Sequence, residues 1–152
     1  MWEGDLMSMP KSVLKMNKKD GVTFKSNVDQ VQYTIHELSR AALKDVGKFV
    51  TREAKQNIPR KTGRGRKNIQ YWVRYRQKHP DLQVGIKPGG FYTGFMELGT
   101  RNQPKIGALY NAVHNNIPMI LEIESKYLSA LEDTAKALRL IDEGEEQEWV
   151  RQ

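Results

Sequence analysis

The stretch Pro59-Arg-Lys-Thr-Gly-Arg-Gly-Arg-Lys67 holds five cations, two glycines and no acid. Cations at that density can neutralise phosphates or carboxylates, and the glycines let the chain bend around either. The stretch belongs to a longer basic run. From Arg52 to Lys78 there are ten Lys/Arg and one Asp/Glu, with Tyr71, Trp72 and Tyr75 interleaved. Phosphate neutralisation combined with stacking of bases on aromatic rings is the chemistry of a nonspecific nucleic-acid-binding module. Alternating aromatics on a strand also serve as core or interface residues, and no RNP, zinc-finger or helix-turn-helix signature accompanies them. Gly63 and Gly65 resemble part of a phosphate loop, yet Thr62-Gly-Arg-Gly-Arg-Lys67 fits neither the P-loop nor Gly-x-Gly-x-x-Gly.

Catalytic chemistry has fewer carriers. His36, His79 and His114 are far apart and lack a metal-binding spacing, and no Ser or Thr stands in a nucleophile elbow. With no cysteine there is neither a disulfide nor a thiolate metal site. Glu97 is the lone acid in an uncharged segment, where a structural hydrogen bond or ion pair suits it better than acid–base work. A small basic nuclease using His79 or His114 with a nearby Arg is the weakest reading. The expectation is a protein that is not an enzyme, with no cofactor and no metal.

The elements that must position these residues follow from periodicity. The chain has 152 residues, the size of one domain, and a polar mean hydropathy of −0.69. That polarity fits exposed helices or arms, or surface hidden in an assembly. No apolar run approaches the ~18 residues of a membrane span, and Met1-Trp-Glu-Gly-Asp-Leu6 lacks the basic-then-apolar order of a signal peptide. Charge is uneven: residues 1–80 carry 18 Lys/Arg and 7 Asp/Glu, or +11, whereas 81–152 carry 7 and 11, or −4. The basic half suits a polyanion or the acidic half of a neighbouring copy.

Residues 1–20 read as a loosely ordered arm, 21–142 as a single α+β domain and 143–152 as an acidic tail. Val22–Phe24 reads as a short strand, and Ser26 with Asp29 as a capping-box-like helix start. Val28, Val31, Ile35, Leu38, Ala42, Val46, Phe49 and Val50 then recur at helical spacing, predicting one long amphipathic helix that Ile58-Pro59 stops near Asn57. Lys44, Lys48, Arg52 and Lys55 occupy its other face. Ile69, Tyr71, Val73 and Tyr75 alternate as in a strand, and Trp72 suggests that its second face is partly covered. Leu82, Val84 and Ile86 give another strand, and Phe91–Leu98 a third after the turn Pro88-Gly-Gly90. The expected sheet is small and antiparallel, with about three or four strands. Gly107–Asn116 is a short helix or loop, and a second long helix runs from Pro118 to about Gly144, packing back.

The segment Phe91-Tyr-Thr-Gly-Phe-Met-Glu-Leu-Gly-Thr100 resembles the aromatic-then-Glu-x-Gly-Thr strand end of a tailed-bacteriophage family. These are the siphophage tail-completion or head–tail joining neck proteins, gene-product-ten-like minor structural proteins. In that family a long helix ends near a Pro-x-x-Thr-Gly stretch, which Ile58-Pro-Arg-Lys-Thr-Gly63 matches. Strands, the Glu-x-Gly-Thr turn and a polar linker into a closing helix follow in the same order here, so the resemblance covers about Val28 to Leu138. Family members commonly carry Ala/Arg-Pro-Phe-hydrophobic after the turn, whereas Gln103-Pro-Lys-Ile-Gly-Ala-Leu109 matches loosely at Pro104 and Leu109.

The resemblance implies a virion structural protein of the head–tail junction, made in the host cytoplasm and assembled as a homo-oligomeric ring. Its implied partners are neighbouring neck, connector and tail proteins, and no membrane. Thr62, Gly63, Glu97, Gly99 and Thr100 would be structural elements. Arg60, Lys61, Arg64, Arg66 and Lys67 would form a loop that orders against an acidic neighbour or contacts packaged DNA nonspecifically.

Overall fold

The computed structural model describes residues 11, 13–16, 23–59, 63–74 and 79–149. Its spine is α1 (Val28–Asn57), 30 residues and roughly 45 Å long. The helix starts after Asn27 without a side-chain cap, because Ser26 closes strand β2 instead; the expected capping box does not form. Ile58 turns extended at φ −88 and ψ 130, the conformation that Pro59 imposes on the residue before it.

Different partners cover successive parts of α1. Leu38 and Ala41 pack with Tyr127, Ala130, Ala137, Leu140 and Ile141. Val46, Val50 and Ala54 pack with Ile58, Ile69, Ala108 and Ala112. The apolar stripe was expected to be core from Val28 onward, but Val28, Val31 and Ile35 are exposed. An amphipathic period marks a face that can be buried; it does not say where the covering elements end.

The architecture is α+β, with the long helix, a small antiparallel sheet and C-terminal helices. Strands β3 (Ile69–Arg74) and β4 (Asp81–Ile86) pair antiparallel with Ile69 opposite Ile86, Tyr71 opposite Val84 and Val73 opposite Leu82. On the other face Trp72 keeps 40 % of its surface exposed. The sheet has two strands, fewer than expected. Strands β1 (Val13–Met16) and β2 (Thr23–Ser26) form a separate antiparallel ladder. The remainder of segment 1–20, apart from Lys11, and Tyr75 lie outside the described residues.

The third expected strand, Phe91–Leu98, is helix α3. Pro88-Gly-Gly90 forms a tight turn that feeds straight into it. Its inner face carries Thr93, Met96 and Glu97, with Met96 alone adding a large apolar side chain to the core. Phe91, Phe95 and Leu98 share the helical spacing and point outward. With its aromatics exposed, the segment shows no apolar helical stripe in the sequence to mark it as a helix.

Helix α4 (Ala108–His114) packs on α1, and α5 (Ile117–Ser129) begins with Pro118 in its first turn. The closing helix is divided. A tight turn at Ala130–Glu132 separates α5 from α6 (Thr134–Trp149). Asp133 makes the break: its backbone is extended, and its Oδ1 accepts from the Ala135 N–H at 2.9 Å and the Lys136 N–H at 3.5 Å, the work of an N-cap. Helix α6 packs along α1 and carries on through Trp149, into the acidic segment.

Helix and sheet meet at Gly47. A Cβ there would lie 2.6 Å from the Tyr71 ring and 2.9 Å from Leu82. In an exposed helix Gly→Ala stabilises by about 0.5–1 kcal/mol. Here overpacking, costing about 1–3 kcal/mol, outweighs that gain. Gly47→Ala should therefore lower the melting temperature, and a rise in calorimetry would show that the helix can lift from the sheet without penalty.

Candidate functional site: a capped corner, a basic cleft and an aromatic face

Glu97 leaves the last turn of α3 and reaches the start of α4. Its Oε2 accepts from the Leu109 N–H at 2.8 Å and its Oε1 from the Tyr110 N–H at 3.0 Å. One carboxylate thus satisfies two of the donors that a helix start leaves without an internal partner. The corner between the helices is built around Gly99, at φ 80 and ψ 163, where a Cβ would meet the Lys105 backbone nitrogen at 2.9 Å. Both the dihedrals and the space admit only glycine. The Ile106 N–H donates to the Met96 carbonyl at 2.8 Å, closing the corner. Thr100 and Gln103 bridge the turn, with the Gln103 N–H also reaching Thr100 Oγ1 at 3.1 Å. Chemically this is a brace.

Arg60, Lys61 and Thr62 lie outside the described residues. Gly63 has φ 67 and leads into α2 (Arg64–Lys67), a single turn. Arg66 folds back so that its Nε and Nη2 donate to the Ile58 carbonyl at 2.9 and 2.7 Å. Arg66 therefore closes the C-terminal end of α1, where carbonyls lack helical partners. Arg64 and Lys67 are exposed. The three described cations of the basic loop thus do not act alike.

The more concentrated basic surface lies elsewhere. A cleft of 1190 Å³ opens between α1, β3 and α5, with Lys44, Lys48, Arg52, Lys55, Arg66 and Lys126 around it. The polar face of α1 was visible in the sequence as lysines and arginine at spacings of three and four. That Arg66 and Lys126 join them could not be read there. Asp45 is the single carboxylate among the described lining residues. It accepts from the Tyr127 hydroxyl and pairs with Lys48 at 3.4 Å. Burial, followed by the hydrogen bond and charge of Asp45, pushes the Tyr127 hydroxyl well above its ordinary pKa.

The third feature is apolar. Phe91, Tyr92 and Phe95 form a cluster with ring centroids 4.0, 6.1 and 6.5 Å apart, and all three are exposed. Leu98 extends the patch at 78 % exposure. Contiguous apolar surface of this kind marks protein–protein contact more often than free surface. The histidines stay dispersed: His36 Nδ1 lies 3.2 Å from Glu37, His114 stacks on Tyr110, and His79 precedes β4.

A family model described as "Bacteriophage HK97-gp10, putative tail-component" matches residues 23–99, just over half of the 152 residues. The chain belongs to this HK97-gp10-like family of bacteriophage tail components. No curated protein and no solved structure matches it.

Glu97→Ala should cost about 1–2 kcal/mol, the range of a lost helix cap, and Gly99→Ala about 1–3 kcal/mol of backbone strain. Denaturant unfolding checks both, and an unchanged midpoint for either would remove the brace. Tyr127→Phe should cost about 1–3 kcal/mol by taking a hydroxyl from a carboxylate. Because the folded pKa of Tyr127 is raised, its contribution is complete below the unfolded value near 10.0 and lost as pH rises through the folded value. The stability gap between wild type and Tyr127→Phe should therefore be flat in neutral buffers and shrink only in strong alkali.

Proposed function

We propose that this tail component stands at the head–tail junction, where it completes the tail or joins it to the head as a ring of identical copies. Its role is structural, and its chemistry is assembly. The observation that carries the reading is the family match across α1, the β3–β4 ladder and α3.

The surface supports it. The exposed stripe Val28, Val31 and Ile35 lies at the start of α1, whereas α3 sits near its other end, with Thr93 beside Gly65 and Ile58. Two different apolar patches at opposite ends suit a heterologous contact, in which one end of a copy meets the other end of the next. Repetition of such a contact closes a ring when the rotation per copy divides a full turn. The basic loop is then an assembly element first and a DNA contact second.

Quantitative peptide mass spectrometry on purified particles tests the location. A few copies per particle, equal to those of a neck ring, is the expected result; absence from complete particles overturns it. Replacing the exposed Arg64 and Lys67 with Ser, while keeping Arg66 to hold Ile58, should leave the melting temperature within about 2 °C. The same variant should yield incomplete particles. Normal infectious yield would show that the loop has no part in assembly.

A further inference from the structure

We infer that the cleft between α1, β3 and α5 receives the acidic end of α6, residues 142–149, from a neighbouring copy of this chain. The inference rests on the ring reading and names the contact that would build the ring.

Charge supplies the first reason. The cleft gathers six cations from three elements against one carboxylate, Asp45, which Tyr127 and Lys48 already engage. Lys44 and Lys48 have partners within the chain, so the attraction is carried by Arg52, Lys55 and Lys126. The contact of Arg52 with Glu53, at 3.5 Å and well exposed, holds it weakly. Segment 142–149 reads Asp-Glu-Gly-Glu-Glu-Gln-Glu-Trp, with five acids in eight residues and no cation. Opposite signs on one chain steer copies together.

Shape supplies the second. Phe49, Ile69, Tyr71 and Ile123 give the cleft an apolar floor suited to Trp149 of the incoming segment. Among the described residues β3 pairs with β4 alone, and the consecutive residues Gln70, Tyr71, Trp72 and Val73 all line the cleft, which gives it a long wall of mixed polar and apolar side chains. A cleft of 1190 Å³ has room for side chains of an incoming segment.

Glu143 lies close enough to its own Tyr127 to act on that hydroxyl, so the acidic end of α6 starts beside the cleft of the same copy. The test must separate a copy's own segment from its neighbour's. Equal amounts of unlabelled and nitrogen-15-labelled full chain are mixed at low salt and coupled with a carbodiimide, which joins carboxylates to lysine amines. Mixed-isotope links from Lys55 or Lys126 to Glu145, Glu146 or Glu148 are expected. In parallel, sedimentation measures self-association of the wild type, R52E/K55E, E145K/E148K and the combined variant. Each one-sided reversal should weaken association about tenfold or more, and the combination should restore it.

Links confined to one isotope would mean that the segment fills its own cleft, and would overturn the inference. So would a monomeric wild type, reversals without effect, or displacement of the links by equimolar duplex DNA. The ring is judged separately, by copy number in particles: a full ring built from R52E/K55E chains would defeat this contact and leave the ring standing.

Discussion

The approach of α1 to the Tyr71 ring at Gly47 sets the spacing on which the rest of the molecule is registered. Only the absence of a side chain there lets the helix lie against β3 and β4. With the helix at that distance, Ile69 is fully buried beside Val50 and Ala54, and α4 can add Ala108 and Ala112 to the same cluster. Small residues at these positions keep backbones close, so modest side chains fill the core without voids. The same spacing leaves β3 facing α5 across the basic cleft. Core and cleft are two consequences of one contact.

Polar side chains join the elements. Glu97 ties α3 to α4, Arg66 ties α2 to the end of α1, Asp133 starts α6, and Tyr127 ties α5 to Asp45 on α1. Each meets a helix end or a charged partner that would otherwise go unmet. Because those bonds brace the chain from within, the large apolar residues of α3 need not serve the core. Phe91, Tyr92, Phe95 and Leu98 remain on the surface, as suits a protein whose work is contact with other chains. The family to which the chain belongs has that work as a tail component.

Much of the fold was legible in the amino acids. The period of α1, its stop before Pro59, the alternation in β3 and β4 and the turn at Pro88-Gly-Gly90 are local properties, written in side-chain spacing and in the steric limits of proline and glycine. The Glu-x-Gly-Thr stretch stood out as a strand end, whereas Glu97 lies in the last turn of a helix. Three features were not legible. Phe91–Leu98 reads as a third strand, yet forms α3 with its aromatics on the surface. The break at Asp133 falls within a run whose spacing continues the helix. The exposed start of α1 belongs to a stripe that looks uniform from end to end.

The sequence by itself determined the spine, the ladder and the uneven charge, because these follow from each residue's own preferences and those of its near neighbours. Only the tertiary structure decided which of the basic residues act together. Arg66, adjacent in sequence to Lys67, is taken up by the Ile58 carbonyl, while Lys126 arrives from α5 to stand with Arg52 and Lys55. A charge takes its role from the groups brought near it, and that proximity is set by how helices pack, across separations that no local pattern records.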